Sequence, residues 1–101
     1  MKPTMDQITR SVCAAHGVEM TQLKSRRRDA RITQVRHMAY WLCRQVKNNS
    51  YPKIGRYFDR DHSTIMHGVE KFDQQVRADP VLRKMTKRAI DCLERRMGIY
   101  R

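Results

Sequence analysis

The spacing of apolar residues between positions 30 and 47 is the feature that most limits the fold of this chain. Apolar side chains recur there at steps of three or four residues, which places them on one face of a helix of 3.6 residues per turn. These residues are Ile32, Val35, Ala39, Leu42 and Val46. No segment alternates apolar and polar residues as a half-buried strand does, and the 101 residues include four Gly and three Pro. The sequence therefore predicts an all-α fold.

Capping signals divide the chain into about six helices. Thr4 and Gln7 match a capping box, and Gly17 follows as a stop signal. Asp61 and Asp79 stand where later helices need an N-cap. We predict helices at about 5–16, 19–24, 30–47, 52–58, 62–78 and 80–97, with a basic connector, SRRRDAR, before the third. A chain of this length has room for one small core, so we expect a single compact bundle over residues 1–101.

The fourth and fifth predicted helices are joined by a short turn, DRD, which is helix-turn-helix geometry. A tight turn between two helices is a weak signal alone, and the faces of the fifth helix strengthen it. Its apolar side predicts a core face made of Ile65, Val69, Phe72 and Val76. Its opposite side presents Ser63, Thr64, His67 and Lys71. Short polar side chains at the start of the second helix, followed by a cation, are typical of a recognition helix that enters the major groove of DNA.

The charge balance points to a polyanion as the partner. Lys and Arg number 22 against 10 Asp and Glu, which gives a formal net charge of +12. Such a surface binds DNA, RNA or anionic lipid. No apolar run approaches the roughly 18 residues of a membrane span, and the N-terminus lacks the apolar segment of a signal peptide, so we expect a cytoplasmic protein with no membrane partner. Cys13, Cys43 and Cys92 are widely spaced and predict reduced thiols rather than disulfides.

The consecutive residues Asp61, His62 and Ser63 invite comparison with a hydrolytic triad. Triad members face one another in space, whereas three consecutive residues at a helix start point apart. His62 and His67 are five residues apart, off the i, i+4 face that a helical zinc pair uses. We therefore predict no catalytic site, no metal, no cofactor and no small-molecule substrate. Asp61 either caps the helix or accepts a hydrogen bond from a cytosine amino group, and the residues alone leave both roles open.

Three stretches of the sequence resemble a known family. RDHSTIMHGVEKF, with SYPKIGRYF before it and SRRRDARITQVRHMAYWL further upstream, is similar to the C-terminal DNA-binding domain of the bacterial chromosomal replication initiator DnaA. The similarity spans about Ile8 to Phe72. It implies a helical bundle of the Trp-repressor and DnaA-domain type that carries a helix-turn-helix. It also implies binding to a short asymmetric duplex site, the DnaA box, rather than to a symmetric operator.

The resemblance assigns base-reading roles by position. It implies that Asp61, His62, Ser63 and Thr64 read base edges in the major groove. It also implies that Arg28, in the basic connector, enters the adjacent minor groove. A narrow, A·T-rich minor groove attracts arginine by its negative potential.

Four other positions match residues of the family that contact DNA. Arg36 matches a further DNA-contacting arginine, and His37 lies at a neighbouring phosphate-contact position. Pro52 and Lys71 match backbone-contact positions. The sequence departs from the family at His37, where glutamine is common, and at Asp59, which replaces a glycine in a turn one residue shorter than Gly-Gly-Arg-Asp-His. These departures concern which sequence is bound more than whether DNA is bound.

The ATPase part of the initiator has no counterpart in this sequence. It needs a phosphate loop, G-x-x-x-x-G-K-[ST], and none of the four glycines fits that pattern. We therefore expect a protein that is not an enzyme. The chain is either a fragment or a stand-alone protein that reuses the DNA-binding module, and the start Met1-Lys2 favours the second.

We expect a monomeric protein that binds double-stranded DNA at a DnaA-box-like site and regulates transcription or replication initiation. Lys and Arg would hold phosphates, while the fifth helix and Arg28 read bases. The sequence leaves open a protein-binding regulator of the initiator that has only non-specific DNA affinity. An RNA-binding role is disfavoured, because the deep, narrow major groove of A-form RNA excludes a recognition helix.

Overall fold

The computed structural model describes residues 2–98, which form six α-helices and no strand within that range. The helices are α1 (Met5–His16), α2 (Met20–Lys24), α3 (Ala30–Lys47), α4 (Tyr51–Phe58), α5 (His62–Ala78) and α6 (Pro80–Arg96). The predicted all-α bundle is confirmed. Compared with the predicted bounds, α2 begins one residue later, α4 begins one residue earlier and α6 ends one residue earlier. Met1 and residues 99–101, which the predicted domain includes, lie outside the described residues.

Side-chain caps fix the starts of four helices. Thr4 and Gln7 form the predicted capping box, in which each backbone N–H donates to the other residue's side chain. Asp79 caps α6 as predicted. Asp29 and Ser50 cap α3 and α4 in the same way, and Ser50 explains why α4 begins earlier than predicted. Each cap satisfies N–H groups that the first helical turn leaves unpaired, so these boundaries are encoded by neighbouring residues.

The third helix lies at the centre of the bundle. It contacts α1, α2, α4 and α5, and α6 closes the structure against α1 and α5. The predicted core stripe of α3 is buried at Ile32, Val35, Ala39 and Leu42, with Val46 partly buried. The predicted core face of α5 is buried at Ile65, Val69, Phe72 and Val76. Because α3 and α5 bury these faces against each other, the outward side of α5 is fixed as the side that solvent or a ligand reaches.

Aromatic contacts join α3 to both helices of the helix-turn-helix. The rings of Tyr40 and Phe58 meet edge to face with 4.8 Å between centroids. Trp41 lies 5.5 Å from Phe72, and its indole N–H donates to Asp73 at 3.2 Å. Tyr40 therefore lies in the core, and Trp41 packs against it. These contacts hold α4 and α5 on one support, because both helices rest on neighbouring residues of α3.

The turn between α4 and α5 depends on close backbone contact at Gly55. The Arg60 N–H donates to the Gly55 carbonyl at 2.8 Å. A Cβ atom added at Gly55 would lie 2.5 Å from the Arg60 carbonyl oxygen. Asp59, at the end of α4, has a left-handed backbone with φ of +54°, which Asp tolerates better than most residues. The turn is short because the chain folds directly back over a residue without a side chain.

We expect Gly55→Ala to destabilise the fold by about 1–3 kcal/mol, because the backbone of the turn has to move away from the new methyl group. This effect should outweigh the roughly 1 kcal/mol by which Ala favours a helix over Gly. Chemical denaturation of the variant measures it. Gly68→Ala is the comparison variant: a Cβ there meets ring atoms of His37 and Tyr40 at 2.9 and 3.0 Å, a less severe approach than 2.5 Å, so its loss of stability should be smaller. Equal losses in the two variants would contradict this account.

Candidate nucleic-acid interface

The N-terminal end of α5 presents its polar side chains to solvent. Asp61, His62 and Thr64 are exposed and Ser63 is half-buried, whereas Ile65 on the opposite side is fully buried. The predicted outward face of the helix is therefore present in the fold. The four residues that the resemblance assigns to the major groove lie together at one helix end, where the free N–H groups also favour a phosphate.

Asp61 organises this end without capping the helix by its side chain. It occupies the N-cap position, but its carboxylate accepts no hydrogen bond from the helix N–H groups. It accepts a hydrogen bond from the Ser63 hydroxyl instead, and its other oxygen lies 3.5 Å from Nδ1 of His62. The bond from Ser63 is the main reason that the pKa of Asp61 lies below its ordinary value. Because the Ser63 hydroxyl uses its hydrogen to donate to Asp61, its oxygen can act towards other groups as an acceptor.

Two grooves flank α5 and bring the predicted residues together in two groups. The first, which we call the connector groove, has a volume of about 640 Å³ and is lined by Arg28, Ala30, Thr33, Gln34, Lys71 and Gln75. The second, the turn groove, has a volume of about 470 Å³ and is lined by Arg26, Pro52, Gly55, Arg56, Asp59, Arg60, Asp61 and His62. The basic connector lines both, so it runs beside α5 from the turn towards the middle of the helix.

The connector groove joins the two cations expected to meet the DNA backbone or minor groove. Arg28 and Lys71 are both exposed, and no hydrogen bond within residues 2–98 engages either side chain. Gln34 and Gln75 add amide groups to the same surface, although neither residue was predicted to lie there. Gln75 lies one helical turn beyond Lys71, so the i, i+4 spacing was the signal available for it.

Arg36 lies apart from the open surface. Its side chain is 7% exposed and reaches beneath the connector. It donates to the carbonyl of Leu23 at 2.7 Å, of Ser25 at 2.6 Å and of Arg27 at 2.5 Å. A weaker bond of 3.2 Å goes to Gln22. These carbonyls belong to the end of α2 and to the connector. The guanidinium therefore holds the connector against α3, on the face of the connector that is turned away from solvent.

His37 and Pro52 occupy different surroundings. Pro52 is exposed in the turn groove, near the base-reading end of α5. His37 is half-buried where α3 crosses α5, with its ring beside Gly68. Burial is the main cause that lowers the pKa of His37 below its ordinary value, and the positive charges of Lys71 and Arg36 lower that pKa further. The folded protein therefore favours the neutral form of His37.

Among residues 2–98, no group of three or more His, Cys, Asp or Glu side chains could hold a metal ion. Cys13 and Cys43 are buried, and burial raises the pKa of the Cys13 thiol to about 11 and that of Cys43 to about 12. None of the helices in this part of the chain is long and apolar enough to cross a membrane.

Comparison with known proteins identifies the fold family. A family model described as the bacterial DnaA protein helix-turn-helix matches residues 5–72, which is more than half of the chain. The chain belongs to this DnaA helix-turn-helix family. The match includes the connector, the turn and most of α5, so it covers the whole turn groove and every residue of the connector groove except Gln75. The resemblance drawn from the sequence motifs is confirmed.

The similar proteins include chromosomal replication initiator proteins DnaA, which are longer than this chain. The chromosomal replication initiator protein DnaA of Pelobacter propionicus is 37% identical over 83 residues, which cover 81% of this chain and 18% of that protein. The DnaA protein of Thermoanaerobacter sp. (strain X514) is 32% identical over 97 residues, covering 96% of this chain and 21% of the relative. The chain thus spans about a fifth of the length of these curated relatives.

We expect Arg36→Met to lower the free energy of unfolding by about 3 kcal/mol or more, because several part-buried carbonyls lose a charged donor. Arg28→Ala is the control, since it removes a neighbouring arginine that is exposed and whose side chain makes no hydrogen bond within the described residues. Its stability should stay within about 0.5 kcal/mol of the wild type. Urea denaturation of both variants measures the difference, and an Arg36→Met variant as stable as Arg28→Ala would contradict the role assigned to the buried guanidinium.

Acid should destabilise the protein partly through His37. Since the pKa of His37 is lowered in the folded state, its contribution to stability is complete above the unfolded pKa of about 6.5 and is lost as pH falls towards the folded pKa. His37→Gln should therefore show a smaller loss of stability between about pH 8 and pH 5.5. Burial lowers the pKa of His16 as well, so His16→Gln combined with His37→Gln should flatten the profile further. Unchanged profiles would contradict this assignment.

Proposed function

We propose that this chain binds double-stranded DNA, as a monomer, at short asymmetric sites that resemble the DnaA box. The observation that supports this most is the position of the connector beside α5. Arg28 and Lys71 line one groove, while Asp61 and His62 line the other. A recognition helix and a free arginine on one surface match the two neighbouring grooves of a duplex.

The duplex would lie with its major groove over the N-terminal end of α5. One sugar–phosphate strand separates a major groove from the adjacent minor groove, so that strand would cross the connector groove between α5 and Arg28. There Lys71 would meet a phosphate, and the amides of Gln34 and Gln75 would add neutral hydrogen bonds. Arg28 would then reach the minor groove beyond that strand, where negative potential favours arginine.

The side chains at the end of α5 would divide the reading of bases by their hydrogen-bonding chemistry. The Ser63 hydroxyl donates its hydrogen bond to Asp61, so its oxygen remains as an acceptor that suits the amino group of adenine or cytosine. Thr64 is exposed and offers a hydroxyl and a methyl group, and the methyl group suits thymine. His62 and Pro52 would contact the edge of the same site.

Arg36 and His37 would act from behind this surface. Arg36 is nearly buried and its donors are engaged by carbonyls, so in this proposal it fixes the connector and makes no direct contact with bases. His37 would support α5 at the crossing with α3. The phosphate contact expected at this position from the family pattern would then pass mainly to Lys71, whose charge lies close enough to influence His37.

The biological role that we propose is regulation of transcription or of replication initiation in the bacterial cytoplasm, at the nucleoid. The similar proteins are named chromosomal replication initiators, and this chain matches the helix-turn-helix part of that family. A protein that binds the same sites would compete with the initiator or use those sites for its own control. The proposed activity is binding, without catalysis.

Fluorescence anisotropy on a duplex with a DnaA-box-like site and on a shuffled duplex, at two salt concentrations, tests this proposal. We expect a preference of about a hundredfold or more for the specific duplex, and a slope of log affinity against log salt near −0.9 per phosphate contacted. Equal affinity for both duplexes that collapses with salt would contradict the proposal and favour the protein-binding regulator instead.

Arg28→Ala and Thr64→Ala should each reduce the preference between the two duplexes about tenfold or more, because each removes a base-directed contact. Arg88→Ala, on the exposed side of α6 and outside both grooves, is the charge-matched control for Arg28→Ala. It should leave the preference unchanged. The same anisotropy titrations measure all three variants, and full discrimination by both site variants would overturn the assignment of these residues.

A further inference from the structure

The connector is tied to the helix-turn-helix through Arg60. This arginine lies in the turn, two residues before the first residue of α5. One terminal nitrogen of its guanidinium donates to the Ser25 carbonyl at 2.5 Å. The other donates to the carbonyls of Phe58 and Asp59, both at 3.1 Å. One planar group thus spans from the connector to the backbone of the turn.

The Ser25 carbonyl also accepts a hydrogen bond from α3, on its other side. Arg36 of α3 donates to the same oxygen at 2.6 Å. A carbonyl oxygen has two lone pairs, so both guanidiniums can bond it at once. A third link is the exposed pair between Arg26 and Asp59, 3.7 Å apart. Residues 25 and 26 are therefore fixed to α3 on one side and to the turn on the other.

This arrangement determines where Arg28 stands relative to α5. Two residues separate Ser25 from Arg28, and the segment between α2 and α3 is not helical. Without the Arg60 bond, the exposed Arg26–Asp59 pair, which contributes little, would be the one remaining polar link that the described residues form between the connector and the turn. A loose connector would have to be ordered when DNA binds, at a cost in affinity.

We propose that Arg60 is a positioning residue that couples the arm in the minor groove to the recognition helix. It makes no contact with DNA itself. Its guanidinium fixes the spacing between Arg28 and the end of α5, so that the two grooves are read as one site. This inference rests on the proposed function. It adds that Arg60, a cation beside the recognition helix that would ordinarily be expected to contact a phosphate, binds carbonyls of the protein instead.

A double-mutant cycle on DNA binding tests the coupling. The wild type, Arg28→Ala, Arg60→Ala and the double variant are titrated on the specific and the shuffled duplex. If Arg60 acts by placing Arg28, Arg60→Ala lowers the preference about as much as Arg28→Ala does, and the double variant is within about threefold of Arg28→Ala alone. Multiplicative losses, or no loss in Arg60→Ala, would overturn the proposal.

Two further variants separate positioning from a simple charge effect. Arg60→Lys keeps the charge but cannot bridge Ser25 and the turn, so positioning predicts a loss close to that of Arg60→Ala, whereas a phosphate contact predicts near-complete rescue. Arg56→Ala is the matched control, because Arg56 lines the same turn groove, is exposed and makes no side-chain hydrogen bond within the described residues. The reductions in duplex preference caused by Arg56→Ala and by Arg28→Ala should multiply in the double variant.

Amide hydrogen exchange of the free protein gives a readout that does not depend on DNA. We expect the amides of Ser25 and Arg27, which donate to the Gln22 carbonyl and the Ser25 hydroxyl, to exchange faster in Arg60→Ala by about tenfold, while those of buried α3 residues keep the wild-type rate and so report an intact fold. Unchanged exchange in the connector would overturn the proposal. If the wild type shows no preference between the duplexes, the proposed function fails, and this exchange measurement still decides whether Arg60 holds the connector.

Discussion

The guanidinium of Arg36 is the interaction on which the surface of this protein depends. It is a charge buried beneath a segment without secondary structure, and backbone carbonyls from residues 22–27 surround it. Burying a charge is costly unless hydrogen bonds replace the lost water, and the carbonyls supply that replacement. The carbonyls in turn receive hydrogen bonds that the connector, which is not helical, does not provide from its own backbone. The connector is consequently shaped by the side chain of a core helix rather than by its own sequence.

The packing of α3 against α5 has a similar effect on the recognition helix. Gly68 allows the two helices to approach until ring atoms of His37 and Tyr40 lie 2.9 and 3.0 Å from the position that a Cβ atom would take. Phe72 and Trp41 extend the same contact. Because close-packed interiors are rigid, the polar end of α5 is held at a fixed angle to the rest of the bundle. Base reading needs such precision, since a hydrogen bond to a base edge tolerates little displacement.

The large positive charge of the chain does not translate directly into contacts with a polyanion. Several arginines donate to backbone carbonyls of the protein itself. Among them are Arg31 to His16, Arg44 to Asn49 and Arg83 to the end of α5. These side chains cap helix ends and hold loops, since a guanidinium offers five donors in a planar fork. A net charge of +12 therefore predicts the class of partner better than it predicts the number of phosphates contacted.

The sequence by itself determined the all-α class, the helix bounds to within one residue and the outward face of α5. These features follow from spacing and capping, which act between residues at most a few positions apart. The motifs also indicated the DnaA family. The sequence could not show that Arg36 is buried, or that Arg60 bonds Ser25, because those partners are 11 and 35 residues apart. Only the tertiary structure decides which arginines serve the fold and which stay free, since that depends on which carbonyls the packing brings within reach.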